Sequence, residues 1–578
     1  MTRTLPDTLG KLLHMRHLDL SWNKKLEMLP KSITKLYNLQ TLKLDGCIKL
    51  KELPEDTKNL VNLRILGIDG CKSLTHMPAG LDKLTCLHTL PRFVVRGNGD
   101  SKQDKEGKLL NLNAFINNLR GFIGITHYSS SEYNMLKIVN KDSMVNVCLK
   151  SSKLLCKFRS SYQGDETLLE SLFPNNHDFQ ELRMERYAGT KLPSWVSAIA
   201  TFLPGLVSIE LSVCKELQHL SSSLSQLCHL KCLKLWHMTN VEYIESDVPS
   251  PSAKFFPSLE NLVLEYMPKL KGWWRDISWM KKEASGVCLV DGTEQAAFLP
   301  PFPHLRELTI HECKRLTYFP PCPHVKMLVL TCINEALTFC MKGGVVQSPV
   351  PSTITASSSL SSNVSVAYTL QRLTIDNSWV FNSLFREFVG GAVCIKLLRM
   401  NILGFTKEGF QSCTSSFRDL VIFNCSGLEN LAAIGIEQFT NLKSLEFSAC
   451  DENLEGMPWK FLHSLLFLTI SCHPELVNLP KGLQHLTSLQ SLRMFFCHNL
   501  ETLGECLNSL TSLQVLQIER CFKLKSLPEA MRHLTSLTKL EIIMPSPELK
   551  DRCRKPDGED WPKICHIPHL HISSGLLS

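Results

Sequence analysis

The sequence lacks the signatures of most enzyme chemistry. There is no G-x-x-x-x-G-K-[ST] loop to cradle phosphates, no G-x-S-x-G nucleophile elbow, and no C-x-x-C pair of the kind that opens a zinc site. A nucleotide switch, a serine hydrolase and a zinc module are argued against in turn. No run of 18 apolar residues occurs, which excludes a transmembrane helix. The opening residues, Met1 to Pro6, contain no apolar signal core. Neither sign of charge dominates: the net charge is +8 over 578 residues. The basic residues are scattered in short clusters such as Lys24-Lys25 and Lys281-Lys282, not the dense stripe that nucleic acid requires. Cysteine, by contrast, is plentiful at 23 residues. Without a secretory signal these read as reduced thiols in a cytoplasmic chain. Hydrophobic residues make up 44% of the chain, too many for disorder. The length exceeds what one compact core organises, so several domains or a repeat is expected.

The sequence decides for a repeat. Met15, Leu18 and Leu20 fit L-x-x-L-x-L, which returns at Leu39-Leu42-Leu44 and at Leu63-Leu66-Ile68, a step of 24 residues each time. The step is equally strict at Leu465-Leu468-Ile470, Leu489-Leu492-Met494, Leu513-Leu516-Ile518 and Leu537-Leu540-Ile542. Between them lie Leu206-Ile209-Leu211, Leu230-Leu233-Leu235 and less regular copies beginning at Phe179, Leu259, Leu305, Val325, Leu370, Ile395, Phe417 and Leu442, seventeen in all. Leu87 and Leu90 begin another that breaks at Pro91. Three residues after the last apolar strand position stands Cys or Asn: Asn23, Cys47, Cys71, Cys214, Cys313, Cys425, Cys450, Cys497, Cys521. A leucine follows three residues later, and then Leu-Pro or a relative, as at Leu29-Pro30, Leu53-Pro54 and Leu527-Pro528.

The spacing has a physical meaning. Two apolar residues two apart leave one face of a short strand, and the residues between and beside them face solvent. The chain turns inward at the Cys or Asn, where a small polarisable or amide side chain suits a buried bend. Proline then ends the hydrogen-bonding pattern and starts the return. One unit cannot bury its apolar face alone, so stacking supplies the core. The expected fold is an α/β solenoid, a leucine-rich-repeat horseshoe with a parallel β-sheet on the concave face and an irregular, 3-10 or helical convex side. The expected segments are regular N-terminal repeats in 1–94, an irregular insertion with degenerate repeats in 95–178, central repeats with loop insertions in 179–340, a Ser-rich loop in 341–368, regular C-terminal repeats in 369–545 and a C-terminal tail in 546–578. Residues 246–254 and 276–300 read as loop insertions.

Recognition chemistry belongs on the strand residues that the core leaves free. These are His17, Asp19, Trp22, Lys43, Asp45 and Asp69 near the N-terminus, Glu210, Lys234, Trp236 and Glu265 in the middle, and Arg493, Phe495, Gln517, Glu519, Arg520, Lys539 and Glu541 toward the C-terminus. Phe495, Trp22, Trp236 and Arg520 have the side chains that dominate protein interfaces. No catalytic, cofactor or metal residue is assigned. Cys565, His566, His569 and His571 are four potential ligands within seven residues, but a terminal strand accounts for them. Cys228 and Cys232 read as core, as do the repeat-turn cysteines. Trp273-Trp274 reads as core or convex-edge packing more readily than as a partner anchor.

Several phrases go beyond a generic repeat. They are Leu74 to Leu81 followed by Leu87 to Val95, Glu181 to Met184 with Leu192 to Trp195, Leu264 to Arg275 with its Pro-Lys-Leu-Lys-Gly-Trp-Trp, and Pro547 to Lys550 running through Trp561 to His569. They resemble the repeat region of plant intracellular nucleotide-binding leucine-rich-repeat disease-resistance proteins of the coiled-coil class. The resemblance covers nearly the whole chain. It implies a defence role: sensing a pathogen effector or a guarded host protein, and autoinhibition of a nucleotide-binding domain where a longer receptor form exists. The switch itself is absent from this sequence, in which Met1 falls inside the repeats, as a fragment or a truncated product would have it. The alternative is a stand-alone adaptor or decoy, such as a ubiquitin-ligase substrate-binding module. That would require an F-box-like helical segment for which the residues before the first repeat leave no room. An enzyme is the least supported reading. The expected partner is a protein, with no nucleic acid and no membrane span.

Overall fold

The computed structural model describes residues 3–90, 92–96, 120–128, 150–158, 180–245, 255–275, 280–282, 288–290, 302–339, 370–387, 394–405, 417–432, 435–450 and 454–574. The chain forms two compact units, Met1–Leu305 with Glu312–Pro321, and Arg306–His311 with Cys322–Ser578.

In the first unit, strands His17–Asp19, Thr41–Lys43 and Ile65–Gly67 pair in parallel with Leu18 opposite Leu42 and Leu42 opposite Leu66. The register is the 24-residue step of the sequence made visible. A second parallel ladder runs in chain order through Arg92–Arg96, Arg120–Tyr128, Lys150–Phe158, Glu181–Glu185, Ser208–Ser212, Cys232–Trp236 and Asn261–Glu265. Three of these strands fall where the sequence period fades. Backbone pairing persists there because a parallel ladder needs only N–H and C=O groups at the strand spacing, not leucine at a fixed offset.

The second unit repeats the plan from Glu307–His311 through Met327–Thr331 and onward, each strand beside the next, to Phe467–Ser471, Ser491–Phe495, Val515–Glu519, Lys539–Ile543 and His569–Ser573. Residues 546–578 contribute that last strand. They also form helices Pro547–Arg552 and Trp561–Ile564, with Ser546 capping the first by accepting from the Leu549 N–H. Within 276–300, Met280–Lys282 and Cys288–Val290 make an antiparallel pair. The Ser-rich segment 341–368 and residues 246–254 lie outside the described residues.

Burial alternates along the strands as the spacing requires. In Val515–Glu519 only Leu516 and Ile518 are buried, and in Cys232–Trp236 only Leu233 and Leu235 are. The return side opens with proline followed by a short 3-10 helix: Pro30 before Lys31–Lys35, Pro54 before Glu55–Asn59, Pro480 before Lys481–His485, Pro528 before Glu529–His533. Proline lacks the donor that the first turn would waste, so it costs nothing there.

The Cys or Asn position also has its cause. The Asn23 amide donates to the Leu20 carbonyl at 2.8 Å. The thiols of Cys47 and Cys71 donate to the carbonyls of Leu20 and Leu44, each at 3.1 Å, and Cys497 donates to Ile470 at 3.6 Å. Each thiol thus reaches back to the last apolar strand residue of the preceding repeat. The position selects a compact donor, which both residue types supply.

Just before that donor the backbone turns left-handed. Trp22, Arg186, Val213, His237, Tyr266, Glu312, Cys332, Arg399, Asn424, Ala449, Cys472, Phe496, Arg520 and Met544 all have φ near +55°, and Gly46 and Gly70 occupy the same place. Only glycine adopts this conformation without strain.

Packing differs along the array. In the first repeat Met15, Leu18 and Leu20 are half-buried and Leu12 and Leu13 are exposed, whereas Leu39, Leu42 and Leu44 of the second are fully buried. The last regular repeat is covered by the terminal helices. There the wholly buried Asp560 accepts from the Leu527 N–H at 2.9 Å and meets Arg552 at 3.1 Å and Lys563 at 3.0 Å. Burial pushes the Asp560 carboxyl up, but these donors outweigh it and hold it below its ordinary value.

The first unit also contains an aromatic core. Trp273 lies edge-on to Phe256, Phe302 and Phe319 at centroid separations of 5.7, 5.1 and 6.1 Å. Tyr318 accepts from the Trp274 N–H at 2.6 Å and donates to the Trp274 carbonyl. Buried among these rings, Glu245 accepts from Trp274 Nε1 at 3.1 Å. Burial drives its carboxyl up to about 7 despite the hydrogen bond from Trp274.

Candidate protein-binding face

The alternation that buries Leu and Ile turns the intervening side chains outward, and every residue expected for recognition is exposed or half-buried. Strand register brings several of them side by side. Glu210 stands between Arg183 and Lys234, and Ser212 pairs with Trp236, which pairs with Glu265. Arg493, Gln517 and Glu541 form one row, and Phe495 and Glu519 belong to the next. His17 faces Thr41, and Asp19 faces Lys43. Asp45 accepts from the Asp69 N–H at 2.8 Å, which links the second and third repeats at the strand ends.

Much of the charge on this face is internally matched. Arg183 pairs with Glu181 and, at 3.5 Å, with Glu210. Lys539 pairs with Glu541 at 2.9 Å, and Arg520 with Glu519 at 3.8 Å. Arg493 is exposed and makes no ion pair among the described residues, and its neighbours in register, Thr469 and Gln517, are neutral. Exposed pairs of this kind contribute little stability.

Four of the expected residues, Trp22, Asp45, Asp69 and Arg520, lie just beyond their strands. Trp22 and Arg520 occupy the left-handed turn, and Trp22 is 70% exposed. The same turn carries aromatic side chains that the strand pattern does not single out. His237 stacks on Tyr266 at 4.4 Å and touches Trp236 at 5.3 Å. Phe496 packs under the Arg520 guanidinium at 4.8 Å. One sequence signal finds them all: the residue directly before the repeat Cys or its substitute.

Other expectations resolve plainly. Trp273 and Trp274 are core, as are the repeat-turn cysteines. Burial pushes the thiols of Cys214 and Cys313 up to about 12 and that of Cys425 up to about 11. Cys228 corrects the core reading: it is exposed in the turn two residues before Leu230, its thiol donating to the Gln226 carbonyl at 3.6 Å, and Cys232 is only half-buried at the start of its strand. Cys565 ends a helix while His569 and His571 lie on the final strand. Among the described residues no group of three or more His, Cys, Asp or Glu is placed to hold a metal ion. No described helix is long and apolar enough to cross a membrane.

Comparison with known proteins agrees with this architecture. Residues 4–275 match the family model described as a leucine-rich repeat region. The chain is 31% identical over 266 residues to the disease resistance protein RGA2 of Solanum bulbocastanum, covering 44% of this chain and 24% of that one. It is 30% identical over 235 residues to the putative disease resistance protein RGA1, and 31% identical over 238 residues to RGA4, of the same species. Each of these two matches covers 40% of this chain and 20% of the relative. The chain therefore spans about a quarter or less of the length of these relatives. A leucine-rich-repeat protein of Leptospira interrogans aligns over 98% of both chains at 17% identity with a TM-score of 0.31. By its register and its repeat-turn thiols the described chain is built of leucine-rich repeats, and in sequence it is similar to disease resistance proteins of Solanum bulbocastanum.

Proposed function

We propose that the outward strand face is a protein-recognition surface serving plant defence, sensing a pathogen effector or a guarded host protein in the cytoplasm. One observation carries this reading. Consecutive parallel strands present polar, charged and aromatic side chains in fixed rows, on a backbone held by the core behind it. Such a surface is preorganised, so binding costs little ordering. Its work is binding and not turnover. Likeness to disease-resistance proteins adds the biological setting. In a receptor that also carries a nucleotide-binding domain, the same repeats would restrain that domain until the partner arrives.

The test is a binding panel of secreted pathogen proteins and defence-associated host proteins against the purified chain. Glu210→Lys with Lys234→Glu, and separately Arg493→Glu, should weaken a true partner by tenfold or more, about 1.4 kcal/mol. A Lys481→Glu change on the return side should not. Binding lost only through the return side would overturn the assignment of the face.

A further inference from the structure

Phe496 and Arg520 stand at left-handed turn positions, φ 56° and 55°, that glycine fills without strain at Gly46 and Gly70. Strain kept in bulky, half-buried residues is a pointer to use. The side chains held there continue the strand face. The Arg520 guanidinium lies over the Phe496 ring at 4.8 Å. Phe496 meets His498 edge-on at 6.3 Å, and His498 stacks on Phe522 at 5.4 Å with the rings 4° from parallel. Phe522 is half-exposed. Directly before this row, on the same strand, Phe495 and Arg493 point outward, and Arg493 makes no ion pair among the described residues. An apolar ring surface thus adjoins a guanidinium that has a full charge to offer. Arg520, the second guanidinium, is already turned toward Glu519.

We propose that this corner docks a protein segment carrying a carboxylate next to an aromatic or aliphatic side chain. The carboxylate pairs with Arg493, and the apolar side chain lies across Phe495, Phe496 and Phe522. Charge complementarity selects the acidic group, since a basic segment would bring like charge against Arg493. The ring surface supplies the area that anchors an interface. The proposal rests on the strand face being a recognition surface and names the chemistry of its partner.

A random twelve-residue peptide library displayed on phage and selected on the whole chain tests it. Selected peptides should be enriched in Asp or Glu within two positions of Trp, Phe, Tyr or Leu. Arg493→Glu should weaken them about tenfold, and replacing the peptide acid by Lys should restore binding to that variant. Phe496→Gly should also weaken them at least about fivefold while leaving the melting temperature unchanged or raised, because glycine relaxes the turn. That separates a binding role from a structural one. Peptides without acidic residues, or acidic peptides indifferent to both substitutions, overturn the proposal. If selected peptides respond instead to Glu210→Lys or Lys234→Glu, this corner is wrong and the recognition surface stands. If none respond to any strand-face change, both fall.

Discussion

The run Leu465–Ile543 and the segment Tyr243–Pro321 reach the same burial by opposite means. In the run, leucine, isoleucine and methionine recur at fixed offsets, every strand meets an equivalent neighbour, and the turns at Cys497 and Cys521 close on a compact thiol. In the segment, six aromatic rings, those of Phe255, Phe256, Trp273, Trp274, Phe302 and Phe319, and a buried carboxylate make contacts that recur nowhere else among the described residues. Repetition spreads stability over many similar increments, so each is replaceable in kind. A singular cluster concentrates it in groups that must all fit together.

The largest effect should come from opening a cavity in the regular run. Leu516→Ala removes a fully buried side chain and should cost about 2–5 kcal/mol. Leu20→Ala, in the half-buried first repeat, should cost about 1 kcal/mol by the area it buries. Urea unfolding of both variants checks the contrast, and equal costs would break it.

Next is Glu245. Its folded carboxyl ionises near 7 and its unfolded one near 4.5. The folded state therefore keeps a proton that the unfolded state has already lost, and stability falls as pH rises from about 4.5 to 7, then levels off. Glu245→Gln should flatten that slope and leave the protein about 3 kcal/mol more stable at pH 8. Melting curves between pH 5 and 8 decide it; parallel profiles for the two proteins would remove the carboxylate from the account.

Gly272→Ala should cost about 1–3 kcal/mol, because a Cβ there would lie 1.9 Å from Cε1 of Tyr318, whose hydroxyl is tied to Trp274. A thermal shift on Gly272→Ala in a Tyr318→Phe background shows whether the hydroxyl tether is what keeps the ring from yielding. The smallest change is at a repeat turn. Cys71→Ala removes the donor to the Leu44 carbonyl and should cost about 1 kcal/mol, whereas Cys71→Asn restores a donor and should cost less. An Asn variant less stable than the Ala variant would refute the donor role.

The same contrast explains what the sequence made legible. Where leucine recurs every 24 residues, strand, register and outward face follow from spacing alone, and Arg493, Phe495, Gln517 and Glu541 were all identifiable. The strands at Arg120–Tyr128 and Lys150–Phe158 were not, because backbone pairing leaves no mark on side-chain identity. Glu245 was invisible because its burial depends on rings as distant as Phe302 and Tyr318. The turn residues Phe496, His237 and Tyr266 were hidden for another reason. Their left-handed backbone normally announces itself as glycine, and here most repeats carry something else. Cys228 was misread because nearness to a strand in sequence does not fix which way a side chain points.

The repeat-turn thiols have a consequence for oxidation chemistry. A thiol reacts as its thiolate, and burial keeps those of Cys214, Cys313 and Cys425 protonated far above neutral pH. Cys86, Cys228, Cys472 and Cys565 are exposed and should be alkylated first. Iodoacetamide applied in pulses would then label the buried positions only as their repeats open. The cysteines would serve as built-in clocks at the turns that carry them, recording the order in which those parts of the array come apart.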